Sequence, residues 1–259
     1  MHWTEAQARL ATPIYAPLRG TLGRLPATHW PDHAALTEAA HGIVTSRGQP
    51  LRFVPPRGHT DRERRYYELH IADTGAVETR PENWHDLFNA LAWIAFPKTK
   101  ATINAQHAAI LEERGEAEAR RRSPERDALT LFDEGGVIVA SASRELTDLI
   151  VDFRWKELFW QRRPELEAKM RFLAFGHALH EKALDPHLGM VAKTVFVALG
   201  EGFDADALAA AHFASRANFA SPKSMAPMPA MGVPGWHPHT DRESFYDDAS
   251  HFRGKTPAR

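Results

Sequence analysis

The sequence predicts an α+β fold: a small antiparallel sheet of two hairpins packed by helices, with a mainly helical C-terminal half. Three observations carry that expectation. Short β-prone runs flank turn chemistry twice, at 66–80 around Asp73-Thr74-Gly75 and at 128–141 around Asp133-Glu134-Gly135-Gly136. Apolar residues at 84, 87, 88, 91 and 95 recur at helical spacing between them. Beyond residue 141 the apolar spacing is mostly helical again.

The proline-rich residues 1–56 hold one helix, from Asp32 as N-cap to about Thr45, and a short strand at Leu51–Val54 stopped by Pro55-Pro56. The polar run 57–65 reads as a loop before the first hairpin. Asn83 caps a helix that starts at Trp84, with Asp86 at the N3 position. Phe96-Pro97 ends it, because the residue before proline avoids helical backbone angles. A second helix covers about Lys100–Arg122, its charged second half facing solvent. Further helices are expected at 144–152, 155–162 and 164–183, and from an Asp204 cap to about Asn218. Residues 191–199 fit a strand or a buried helix. The stretch 220–259, rich in proline, methionine and histidine, reads as a C-terminal wrap or tail on one compact unit spanning 1–259.

Composition narrows the function classes. Apolar residues are 43% and charged residues 25%, and the net charge is −1, so no global field pulls the chain onto nucleic acid or an anionic membrane. Aromatic and basic residues do not interleave on a strand face, which argues against RNA binding. The absence of cysteine excludes disulfides, thiolate metal sites and cysteine nucleophiles. No leader pattern and no membrane-length apolar run is seen, so a cytoplasmic location is expected. P-loop, dinucleotide-fold and nucleophile-elbow motifs are missing.

Several blocks stand out together: Tyr67-Glu68, TRPENWHDLFNALAW at 79–93, FPKTKATIN at 96–104 with His107, RDALTLFDEGG at 126–136, FGHALHEK at 175–182, GVPGW at 232–236 and FYDD at 245–248. In these the chain resembles the bacterial domain-of-unknown-function family 3025, over nearly its whole length from about Leu51. The resemblance implies that the blocks belong together, and it brings no activity with it.

The chemistry concentrates at 80–107. His85 and Asn89, four apart, share a helix face with Asp86 beside them, and Asn104 and His107 share a face of the next helix. A bend at Pro97 brings all five together. Two imidazoles and a carboxylate suit a divalent metal such as zinc or manganese, with His85 and His107 as ligands. Without metal, His85, Asp86, Asn89 and His107 supply an oriented general base. Arg80, Asn104, Arg126 and Asp127 form the expected binding set for an anionic small molecule. Lys98 and Lys100 read as solvated surface, Asp133 as a turn residue and His177 as a core histidine. The first expectation is a hydrolase of a phosphorylated or other anionic substrate, metal-assisted or not. The alternatives are a non-catalytic module for an anionic ligand or a partner protein, and a buried polar network that only specifies the fold. Nothing in the sequence sets the oligomeric state.

Overall fold

The computed structural model describes residues 1–58, 60 and 66–255. In chain order the elements are α1 (Trp3–Leu10), α2 (His33–Ala39), β1 (Arg52–Val54), α3 (Tyr67–Thr74), β2 (Ala76–Glu78), α4 (Trp84–Ala95), α5 (Pro97–Arg120), α6 (Pro124–Gly135) and β3 (Gly136–Ser141). There follow α7 (Arg144–Val151), α8 (Arg163–Lys169), β4 (Met170–Ala174), α9 (His177–Lys182), β5 (Val191–Ala198), α10 (Ala205–Phe213) and β6 (Ala226–Pro229). Short 3-10 turns and a π-turn at Glu157–Gln161 fill the connections. No helix among the described residues is long and apolar enough to cross a membrane.

The α+β class holds, but the sheet is not a pair of hairpins. Its order is β4-β3-β5-β6, with β3 parallel to β5, antiparallel to β4, and β6 antiparallel to β5. β1 and β2 form a separate parallel ribbon. Central β3 is covered on both faces, so it reads GVIVAS without polar alternation. Val137 and Val139 feed one apolar cluster with Trp155, Phe159 and Met228. Ile138, one pleat over, feeds the other with Phe132, Phe175, Val195 and Phe213.

Both expected hairpins fail for the same reason: a glycine read as a turn ends a helix. Residues 67–72 form most of α3, and Gly75 closes it at φ 68 with its N–H on the Ile71 carbonyl. A side chain there would strike the Pro50 carbonyl. Residues 128–132 lie inside α6, which Ser123 caps and Pro124 starts. Ala128, Leu129 and Phe132 make its buried stripe, and Gly136 lies so close to Phe132 that no Cβ fits. The chain thus passes directly from α6 into β3. Asp133 and Glu134 are helical, not turn, residues.

The C-terminal half is less helical than expected, since all four strands of the main sheet follow residue 135. The helix expected over 164–183 is interrupted by β4, and the open choice at 191–199 resolves as a strand. The caps at Asp32, Asn83 and Asp204 form as expected, accepting from Ala35, Asp86 and Ala207. The helix expected from Lys100 begins at Pro97 and is interrupted at Gly115. Most of the loop expected over 57–65 lies outside the described residues, as do the last four residues of the tail. The rest of 220–255 packs inward: Met225, Met228, Met231, Trp236, Phe245 and Tyr246 are buried. At the other end of the chain, Trp3 stacks on Trp84 and Trp30 meets it at a tilt, and together they hold the start of α4. That pins the next residue, His85.

Candidate active site

Helices α3, α4, α5, α6 and α9 wall a cavity of about 430 Å³. From α4 come His85, Asn89 and Trp93, each one turn further along one face. The break at Phe96-Pro97 turns the chain, so α5 answers with Lys100, Asn104 and His107. Tyr67 and Glu68 of α3, Thr130, Asp133 and Glu134 of α6, and His177 of α9 also line the cavity. His177 arrives through a close approach: Gly176 sits against the Glu134 carbonyl, where a Cβ would come within 2.4 Å. Only glycine lets the start of α9 reach the end of α6.

A chain of contacts crosses the cavity. The Lys100 ammonium, almost fully buried, donates to Asn89 Oδ1 at 2.8 Å and to Asp133 Oδ1 at 2.6 Å, and lies over the Trp93 ring. The other oxygen of Asp133 faces His177 Nδ1 at 3.5 Å. His177 Nε2 meets His85 Nε2 at 3.1 Å, and His85 Nδ1 meets Glu181 Oε2 at 2.9 Å. Burial alone would raise the Asp133 carboxyl, but Lys100 and His177 outweigh it and hold the group below its ordinary value. Burial pulls His177 down to about 4, against partial support from Asp133.

Two further networks flank this chain. Asn104 donates to the Glu68 backbone carbonyl at 2.8 Å and to Glu68 Oε2 at 2.7 Å. His107 accepts from Arg126 Nε at 3.2 Å through Nδ1, and Arg126 also pairs with buried Glu118 at 3.6 Å. Burial, then the neighbouring guanidinium, takes His107 down to about 3. Outside, Arg80 clamps Asp86 with two side-chain bonds and one backbone bond, each 2.8 Å.

Arg80, His85, Asp86, Asn89, Asn104 and His107 therefore line one cavity. Within it they divide. His85 and Asn89 belong to the contact chain, Asn104 to the Glu68 end, and Arg80 with Asp86 form an ion pair at the edge. Arg126 lies behind His107, and Asp127 is exposed and lines no part of the cavity. Lys98 pairs with Asp204 on the surface. Lys100 does not lie on the surface; it is the most enclosed cation of the site. Glu68, Asp133, His177 and Glu181 are participants that residue spacing does not reveal, because α3, α6 and α9 reach the cavity only through tertiary packing.

A divalent ion on His85 and His107 does not fit these residues. His107 Nδ1 is bonded to a guanidinium, Lys100 stands in the same cavity, and among the described residues no three His, Asp or Glu side chains stand together as a metal site.

A family model described as "Protein of unknown function (DUF3025)" matches residues 51–256. No curated protein and no solved structure matches the chain. The chain belongs to that family.

Proposed function

We propose that this DUF3025 member is a hydrolase whose base and acid are His177 and His85. The carrying observation is the 3.1 Å contact between their Nε2 atoms, with a carboxylate behind each Nδ1. Hydrogen-bond logic assigns the protons. His85 Nδ1 is hydrogen-bonded to Glu181, His177 Nδ1 stands 3.5 Å from Asp133 without a hydrogen bond, and in this reading the Nε2 contact holds one shared hydrogen. His177 is buried, and its low value favours the neutral ring with a free Nε2 lone pair. His85, partly exposed against Glu181, is the acid of the pair in this reading.

A substrate and a water that separate the two rings find both functions in place. His177 takes a proton from water as the oxygen attacks an acyl or phosphoryl centre, and His85 gives its Nε2 proton to the leaving group. Lys100 spends two of its three hydrogens on Asn89 and Asp133, leaving the third for the substrate oxygen that gains negative charge. Direct return of the proton from His177 to His85 resets the pair. His107, in the cavity wall, is pinned from behind by Arg126 and buried Glu118.

The test uses p-nitrophenyl acetate and p-nitrophenyl phosphate at neutral pH. Release of p-nitrophenol should fall by at least about 100-fold in His177→Gln while far-UV circular dichroism is kept. Turnover of neither ester, or equal rates in the variant, would overturn the reading.

A further inference from the structure

The two helices that carry the histidine pair meet twice. On α4 Phe88 follows His85 by three residues, and on α9 His180 follows His177 by three, so each histidine has a ring about one turn behind it. At the cavity the contact is His85 with His177, Nε2 to Nε2 at 3.1 Å. One turn back it is Phe88 with His180, ring centroids 5.6 Å apart and planes 19° from parallel.

A third ring closes that second contact. Tyr15, in the 3-10 turn Pro13–Leu18, is fully buried and stacks on both Phe88 and His180, with centroids 5.7 Å away in each case. Its hydroxyl donates to the His180 backbone carbonyl at 2.9 Å. In a longer helix the Leu184 N–H would take that carbonyl, but α9 ends at Lys182 and this N–H bonds Glu181 instead. Tyr15 therefore holds α9 by its backbone and both helices by their rings. It lines no part of the cavity, and it precedes the residues matched to the family, 51–256, which contain both histidines.

The narrow tolerance of the pair makes this spacing matter. Hydrogen bonds from N–H groups weaken beyond about 3.2 Å, and at about 3.6 Å none remains. The pair stands at 3.1 Å, so a slip of about 0.5 Å between α4 and α9 ends the proton sharing. Rings close-packed in a dry stack resist such a slip. We infer that Tyr15 is a positioning residue, its ring the spacer that sets the distance between His85 and His177. This rests on the hydrolase reading for the task of the pair.

Nuclear magnetic resonance of isotope-labelled histidine at neutral pH gives a readout that needs no turnover: the nitrogen–nitrogen coupling across the bond between the two Nε2 atoms. In Tyr15→Leu that coupling should vanish, and kcat on the nitrophenyl esters should fall at least about tenfold with KM within about twofold. Tyr15→Phe keeps the ring and should retain the coupling and most of kcat. Phe88→Leu empties the other side of the stack; it should act like Tyr15→Leu, and it replaces that variant if the latter does not fold. Tyr246→Leu removes a buried, hydroxyl-bonded tyrosine elsewhere in the same core and should change neither readout. A coupling absent from the wild type, kept in Tyr15→Leu, lost in Tyr15→Phe or lost in Tyr246→Leu would overturn the assignment. If the esters are not hydrolysed and the coupling depends on Tyr15, the hydrolase reading falls and the positioning role stands. If the esters are hydrolysed and the coupling survives Tyr15→Leu, the reverse holds.

Discussion

His177 and His180 lie three residues apart on one short helix, both are buried, and burial takes both below the ordinary histidine value, to about 4 and about 3. Their surroundings differ. His177 Nε2 meets His85 Nε2 at 3.1 Å, while its Nδ1 stands 3.5 Å from an Asp133 oxygen without a hydrogen bond. His180 is stacked between Tyr15 and Phe88, ring centroids 5.7 and 5.6 Å away, and neither of its nitrogens has a hydrogen-bond partner. Burial makes a histidine neutral; only partners give the neutral ring a task. A low value alone does not distinguish a base from a filler of the core.

The largest expected effect tests that division on turnover. If His177 and His85 work as one proton-sharing unit, His85→Gln and His177→Gln should each cost at least about 100-fold, and the double variant little more than either. His180→Phe should leave kcat/KM within about twofold. Multiplying losses in the double variant would mean that the two rings act separately, and a large loss in His180→Phe would erase the contrast.

Next comes the ion pair that orients His177. Asp133→Leu strands the Lys100 ammonium in a buried site, and removing one partner of such a pair typically costs about 3–5 kcal/mol. Lys100→Met strands the carboxylate with a similar loss. The double variant should recover most of it, because both charges then leave together. Lys98→Ala, which breaks only an exposed pair with Asp204, should leave Tm unchanged. Urea midpoints for the four variants decide this, and a double variant no more stable than the singles would show that the pair does more than compensate itself.

The contrast between Lys98 and Lys100 also shows what sequence makes legible. The caps, the helix at 84–95, its end at Phe96-Pro97 and the gathering of Arg80, His85, Asn89, Asn104 and His107 are local: spacing and cap chemistry place them. Two lysines separated by one residue look alike in sequence, yet roughly half a turn of α5 sends Lys98 to solvent and Lys100 inward. Asp133 and Glu134 are hidden by the glycines after them, which suit a hairpin as well as a helix end. That Gly136 abuts Phe132 decides between these, and this is a fact of packing. His177 lies 92 residues from His85, and no periodicity within either helix points to the other.

Acid titration gives the third test. His107, His177 and His180 are held at about 3, 4 and 3 in the folded chain, against an unfolded value of about 6.5. Between about pH 4 and 6.5 the unfolded chain therefore binds more protons, and stability rises with pH. Each such histidine contributes a slope of about 1.4 kcal/mol per pH unit where only the unfolded form is protonated. Their contribution is complete above about pH 6.5 and is lost as the pH falls. Glu68, raised in the fold, works with the opposite sign, favouring the folded state on its acidic side. Urea midpoints from pH 4.5 to 8 should fall steeply below pH 6.5, and less steeply in His180→Phe. An unchanged slope in that variant would mean that His180 is not held neutral by the fold.

The smallest effect is expected for the same variant at pH 8, where no histidine charge is at stake. Phenylalanine removes two buried nitrogens without hydrogen bonds, whose burial costs roughly 1–3 kcal/mol each where nothing compensates. It also adds volume to a site with no exposed surface, and overpacking typically costs about 1–3 kcal/mol. The two contributions oppose each other, and the aromatic stack with Tyr15 and Phe88 survives the exchange. The urea midpoint should therefore move by no more than about 1 kcal/mol in equivalent stability, in either direction. A loss well beyond that would show that the His180 ring holds hydrogen bonds the stack depends on, and the two histidines of α9 would then differ in degree rather than in kind.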